Sequence, residues 1–103
     1  MSRPYSDKFL RELSRSESDG LGVELARLCV DANLSAAHIA IVLDVSRTTV
    51  YSWFRGQGVR ERKRKEVEAL ISLLKKDMHE QLLPVLTPVE GKKYIESLIG
   101  VKI

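Results

Sequence analysis

Hydroxyl, guanidinium and ammonium side chains are concentrated between residues 46 and 65, and they carry the chemistry that this sequence offers. That stretch holds seven basic residues and one acid, Glu61, for a net charge of +6. Residues 1–45 hold five basic and seven acidic residues, and residues 66–103 hold five and six. All the excess positive charge of the chain therefore lies in twenty residues, as expected where a protein neutralises the phosphates of a nucleic acid.

The first half of this stretch predicts a helix with two unlike faces. Successive helical residues are rotated by about 100°, so the large apolar side chains share one side; they are Val50, Trp53 and Phe54. The opposite side is small and polar, with Thr48, Ser52 and Arg55 flanked by Thr49 and Tyr51. The sequence has no acid between Val45 and Arg60. Such a face can lie against a polyanion and offer donors and acceptors to base edges.

A shorter helix and a tight turn must position that face. Ser35 is a suitable N-cap for a helix ending at Leu43, and Ser46 for the one that follows and stops at Gly56. Asp44 falls at the turn, where its side chain tolerates a left-handed backbone. Val45 would fill the corner between the helices. The apolar positions that would hold this two-helix unit together are Ile39, Ala40, Leu43, Val45, Val50, Trp53 and Phe54.

The spacing of these residues resembles the helix-turn-helix of phage repressor and Cro-like (lambda-repressor-like) proteins. The matching pattern comprises Ile39, Ala40, Leu43, Asp44, Val45, Ser46, Val50 and Trp53, followed by Arg55-Gly56. It covers about a quarter of the chain. The resemblance implies a lambda-repressor-like, all-α fold of about five helices around a central helix-turn-helix, plus an extra C-terminal helix. It also implies sequence-specific binding of double-stranded DNA by a small transcriptional regulator, from a phage or a bacterium.

Three positions depart from the family pattern. The turn residue is usually Gly and is Asp44 here. A Gln that commonly opens the first helix and contacts phosphate is replaced by Ala36. An acid often found just before the final Arg-Gly or Asn-Gly pair is replaced by Phe54, which predicts a hydrophobic contact where the family has a buried ion pair.

The resemblance assigns DNA contacts residue by residue. The candidates for base contacts in the major groove are Arg47, Thr48, Tyr51, Ser52 and Arg55. Two of them, Arg47 and Arg55, could contact either guanine edges or phosphate. The candidates for phosphate contacts are Ser46, Thr49, Arg60, Arg62, Lys63, Arg64 and Lys65. Cations at a helix N-terminus oppose the helix dipole, so the basic run is more favourable when an anion lies beside it.

The rest of the chain divides into three parts. Residues 1–20 predict an N-terminal arm with a short helix after Ser6, either loosely docked on the core or touching DNA. Residues 21–81 form the DNA-binding domain, with helices at 21–32 and from about residue 60. Residues 82–103 contain a last helix that starts at Thr87-Pro88, with Glu90 completing a capping box. This segment could cover the core or form the interface of a homodimer.

The composition favours a single cytoplasmic domain in a bacterial or phage-infected cell. Cys29 is the only cysteine and fits a small core residue. His38 and His79 lie far apart and have no metal-ligand spacing with it. We find no catalytic constellation, so the sequence predicts no enzyme, no cofactor, no metal and no small-molecule ligand.

Two other functions remain open from the sequence. The helix-turn-helix could be a protein-docking module that acts on RNA polymerase or on another regulator. It could also belong to an accessory DNA-binding protein in recombination.

Overall fold

A computed structural model describes residues 4–17 and 20–103. In these ranges the chain is all-α and has no strands. The helices are α1 (Asp7–Arg15), α2 (Leu21–Ala32), α3 (Ala36–Leu43), α4 (Arg47–Phe54), α5 (Glu61–His79) and α6 (Pro88–Ile99). The all-α fold and the order of its helices are therefore confirmed.

Local hydrogen bonds explain where the helices begin. The side chains of Ser6, Ser35, Ser46 and Thr87 each accept a hydrogen bond from a backbone N–H three residues on. Such caps satisfy donors that the first helical turn leaves without partners. The Thr87 cap departs from the predicted capping box in one respect. The Glu90 carboxylate accepts from the N–H of Leu86 at 2.8 Å, one residue before the cap.

The C-terminal ends of α2 and α3 use left-handed residues. Asn33 has φ 63° after α2, and Asp44 has φ 55° after α3. Both side chains belong to the few non-glycine types that adopt this conformation readily. The predicted turn at Asp44 is therefore confirmed.

The core forms around α2, which packs against α4 on one side and α5 on the other. Leu25, Val50 and Leu74 are fully buried there. Gly22 lets α2 approach the backbone of α4, because a Cβ at this position would lie 2.3 Å from the carbonyl oxygen of Trp53. The predicted motif core is buried except at Val45, which is only half-buried at the corner between α3 and α4.

The segment before α2 is docked more firmly than the expected loose arm. Tyr5 and Leu13 are 6% and 7% exposed. The Tyr5 hydroxyl donates a 2.6 Å hydrogen bond to the carbonyl oxygen of Leu34. Next to it, burial raises the pKa of the Cys29 thiol. Cys29 is therefore a protonated core residue, as expected.

The C-terminal segment covers the core, since α6 packs against α3 and Ile95 is fully buried. The Tyr94 hydroxyl donates to the buried carboxylate of Asp77 at 2.5 Å and joins α6 to α5. Val89, in the first turn of α6, is 62% exposed.

Candidate nucleic-acid interface

The turn between α3 and α4 fixes the angle between the two helices. The N–H of Asp44 donates to the carbonyl oxygen of Ile41 at 3.3 Å. The N–H of Val45 donates to the carbonyl oxygen of Ala40 at 3.0 Å. These bonds close α3 and turn the chain. Ser46 then caps α4: its side-chain oxygen accepts from the N–H of Thr49 at 3.1 Å and shares a hydrogen bond with the Thr49 hydroxyl.

The outward face of α4 presents most of the residues assigned to base contacts. Arg47, Thr48 and Arg55 are exposed, whereas Tyr51 and Ser52 are half-buried. Val50, Trp53 and Phe54 occupy the other side of the helix and are buried. The two unlike faces predicted from the sequence are therefore confirmed. Three long or polar side chains are free to reach a ligand that lies along α4.

An open cleft of about 540 Å³, which we call the α3 cleft, runs along one side of α4. It joins the outward face of α4 to the N-terminus of α3. Its lining residues are Pro4, Ser35, Ala36, Ala37, Arg47, Thr48, Tyr51 and Arg55. Ala36 is 2% exposed, so its side chain offers little contact to a ligand at the position where the family pattern considered above has Gln.

A second cleft of about 430 Å³, the α5 cleft, lies on the other side of α4. Its lining residues are Asp44, Val45, Thr49, Ser52, Trp53, Gln57, Gly58, Arg60, Arg62 and Lys63. Asp44 is the only acid among them. The helix with the polar outward face thus stands as a ridge between two clefts, each of which carries at least two cations.

The basic run from Arg60 to Lys65 does not act as one patch. Arg60, Arg62 and Lys63 line the α5 cleft, whereas Arg64 and Lys65 lie outside it. Successive residues of a helix point in different directions, so a continuous run of cations cannot all face one ligand. Only the first half of the run is placed beside α4.

Lys63 is held by the protein itself. Its Nζ donates to the carbonyl oxygen of Leu43 at 2.8 Å and lies 3.1 Å from the Glu66 carboxylate. The first bond ties the start of α5 to the C-terminal end of α3. Lys63 therefore holds the turn in place, a role that its position within a basic run did not indicate.

Tyr51 is surrounded by aromatic rings and a guanidinium. Its ring centroid lies 5.9 Å from that of Phe9 and 6.0 Å from that of Phe54, both in edge-on geometry. The Arg55 guanidinium lies 6.0 Å from the same centroid. Phe54 also contacts Tyr5 and Phe9, so the predicted hydrophobic contact at this position is present.

His38 lies at the edge of the surface, between α3 and α6. It shares a small cleft with Ser35, Pro88 and Gly91. Burial, and secondly the charge of Lys92, lower the pKa of His38 below its ordinary value. The surroundings of His38 therefore favour its neutral form.

Sequence reasoning missed several residues that line the two clefts. Gln57 and Gly58 line the α5 cleft, and Pro4 lines the α3 cleft. All three belong to short connecting segments without periodicity, where the sequence gives no sign of which element lies nearby. Gly58 could have been noticed as part of the Gly-Gln-Gly turn that follows α4.

Comparison with protein-family models, with curated proteins and with solved structures finds no match to this chain. Across residues 4–17 and 20–103, no three His, Cys, Asp or Glu side chains are grouped so that they could hold a metal ion. No helix in the same ranges is long and apolar enough to cross a membrane.

Proposed function

We propose that this chain binds double-stranded DNA in a sequence-specific manner, as a small helix-turn-helix transcriptional regulator of the repressor or Cro-like type. The observation that carries the proposal is the placement of α4. Its outward face has no acid, and it stands between two clefts that both contain arginine. An α-helix fits the major groove of B-DNA, with a phosphate backbone on each side of it.

In this arrangement one phosphate backbone lies along the wall of each cleft that faces away from α4, while the wall formed by α4 faces the bases. Arg60 and Arg62 would contact phosphates on the α5 side, while the N-terminus of α3 approaches the opposite strand. Contacts of this kind fix the orientation of the protein and carry no sequence information. Arg64 and Lys65 would add long-range attraction, because they lie outside the cleft.

Sequence would be read by the outward face of α4. Arg47 and Arg55 can each donate two hydrogen bonds to one guanine, and the methyl group of Thr48 can pack on a thymine methyl. Tyr51 and Ser52 are less exposed, so we expect them to contact only bases that lie close to the helix axis. The cytoplasm of a bacterium or of a phage-infected cell is the compartment that this function implies.

We also propose that the chain acts as a homodimer. The C-terminal segment supports this with three strongly exposed apolar side chains, Leu82 and Leu86 at 61% and Val89 at 62%. They lie within eight residues, before and at the start of α6. A dimer would place two α4 helices one DNA turn apart. Sedimentation velocity tests this: Leu86→Lys should shift a dimer to monomer, whereas Lys102→Ala should not.

Selection from a random duplex pool at two salt concentrations tests DNA binding. We expect enrichment of one sequence, arranged as a two-fold repeat if the chain is dimeric. Affinity should fall steeply with salt, with a slope of about 0.9 for each phosphate contact. Arg62→Ala should lower that slope by about one, whereas Lys76→Ala removes the same charge far from α4 and should leave it unchanged.

The selection also separates the other functions. Salt-sensitive binding without enrichment would indicate a nonspecific DNA-binding protein, such as an accessory factor in recombination. No binding at low salt would exclude DNA as the partner and favour docking on RNA polymerase or another protein.

A further inference from the structure

Helix α1 lies beside the outward edge of α4, and aromatic rings form the contact. Phe9 stacks on Tyr5 with centroids 5.1 Å apart and meets the edge of Tyr51 at 5.9 Å. The Tyr5 ring is held in the core by the hydrogen bond from its hydroxyl to the carbonyl oxygen of Leu34. A continuous chain of contacts therefore runs from the core, through two rings of the N-terminal segment, to a residue on the face of α4.

Tyr51 is held on three sides by these neighbours. Phe9 and Phe54 contact its ring edge-on, and Arg55 lies over its face. The Tyr51 hydroxyl makes no hydrogen bond within residues 4–17 and 20–103. The ring also lines both the α3 cleft and a cleft between α1 and α4. Its position is thus fixed, while its polar end remains available to a ligand.

The charges of α1 argue against a separate phosphate-binding role for this helix. Lys8 and Glu12 of α1 line the same cleft between α1 and α4, and their opposite charges cancel, so the excess positive charge of the cleft comes from Arg55 at the end of α4. A phosphate beside Lys8 would also approach the Glu12 carboxylate. The distinctive contribution of α1 to this surface is therefore the Phe9 ring.

We propose that Phe9 is a positioning residue for base recognition, and that α1 sets the DNA sequence preference of the chain by holding Tyr51 in one orientation. This inference rests on the proposed DNA-binding function. A side chain that is already ordered loses less conformational entropy when it binds, and a fixed ring rejects a mismatched base more strongly than a mobile one does. Phe9 acts on specificity without touching DNA.

Replacing Phe9 by Leu tests the proposal, because it keeps an apolar side chain and removes the aromatic edge contact. An aromatic pair contributes about 0.5–1.5 kcal/mol, so the affinity ratio between the selected duplex and a scrambled one should fall about two- to twelvefold. Affinity for the scrambled duplex and its salt slope should not change. NMR should show that Tyr51 occupies additional side-chain rotamers in Phe9→Leu without DNA.

Two further variants separate positioning from stability. In a Tyr51→Ala background, Phe9→Leu should have no further effect on the affinity ratio, because it acts through that ring. Leu10→Ala is the matched control on the same helix. Leu10 packs against the core and makes none of the ring contacts, so this change should lower the melting temperature and leave the affinity ratio unchanged.

Three DNA-binding results would overturn the inference alone: an unchanged affinity ratio in Phe9→Leu, an equal loss in the Tyr51→Ala background, or the same loss in Leu10→Ala. A wild-type chain that prefers no duplex would overturn the proposed function and this inference together. Unaltered Tyr51 rotamers in Phe9→Leu would contradict the positioning role whatever the DNA result.

Discussion

Gly22 of α2 lies directly against the main chain of Trp53 in α4. A Cβ on Gly22 would be 2.3 Å from the Trp53 carbonyl oxygen and 2.8 Å from its Cβ. The backbone of α2 at Gly22 therefore packs directly against the backbone and Cβ of Trp53 in α4, and a methyl group would not fit between them. Because Gly22 has no side chain, α4 can pack close to α2. Gly22 thus determines where α4, which carries the proposed recognition surface, lies relative to the core.

Gly22→Ala should destabilise the protein by about 3 kcal/mol, because neither backbone can move without disturbing the core. Urea unfolding would measure the loss. Gly58→Ala is the control, since a Cβ there has no neighbour within 4 Å. Its stability should stay within about 1 kcal/mol of wild type. Equal stabilities for the two variants would show that α2 and α4 can separate at little cost.

Arg62 and Lys63 are neighbours in sequence, but their alanine variants should behave differently. Arg62→Ala should weaken binding to all duplexes alike without affecting unfolding, because Arg62 is exposed. Lys63→Ala should also lower the free energy of unfolding by about 1 kcal/mol, because it removes the bond to Leu43. Chemical denaturation alongside a salt titration distinguishes the two. Indistinguishable denaturation curves would mean that the Lys63 bond contributes nothing.

Thr48→Ala should change which sequence is preferred rather than binding in general. Thr48 is exposed on the outward face of α4 and lines the α3 cleft. We expect a loss of about 1–3 kcal/mol at particular base pairs and none at others. Repeating the duplex selection with the variant measures this. A uniform loss over all sequences would place Thr48 against phosphate instead.

Stability should decline in mild acid because of His38. Its pKa is lowered from 6.5 in the folded chain, so the unfolded chain takes up the proton first. The free energy of unfolding should therefore be constant above about pH 7.5 and fall as the pH drops through about 6.5. The midpoint of urea unfolding, measured over this pH range, tests the expected pH dependence of stability. His38→Gln should lose this dependence, and His79→Gln should keep it; the reverse pattern would assign the effect to His79.

Tyr94→Phe should lower the free energy of unfolding by about 2 kcal/mol, because it leaves the buried Asp77 carboxylate without its hydroxyl donor. Tyr51→Phe removes the same atom from a ring whose hydroxyl has no bonded partner in the described parts of the chain. That control should unfold within about 0.5 kcal/mol of wild type. Thermal unfolding compares the two, and equal midpoints would mean that the Tyr94–Asp77 bond does not hold α6.

The helices could be predicted from the sequence because their signals are local. Ser6, Ser35, Ser46 and Thr87 precede helical periodicity, and each proved to be a cap. The two faces of α4 also follow from spacing within eight residues. These features depend on neighbours along the chain, which a sequence shows directly.

The contacts that the sequence did not reveal join distant segments. Tyr5 stands alone in a polar stretch, and only the packing of α1 shows that it belongs to the core. In the sequence, Lys63 looks like the other cations of the basic run, and only the structure shows that its Nζ donates to the carbonyl oxygen of Leu43. Gly22 reads as a weak helix residue, although a glycine inside a helix can signal a close approach. Asp77 reads as a surface acid, and its burial depends on Tyr94 seventeen residues away.

The division of α4 into a buried and an exposed side leaves its outward face open to substitution. Gly22, Val50 and Trp53 hold the helix from behind, so substitutions at Arg47, Thr48 and Arg55 leave its support intact. A library randomised at those three positions would keep the fold while presenting new donors and acceptors. Under the proposed function, the same fold would then bind many different DNA sequences.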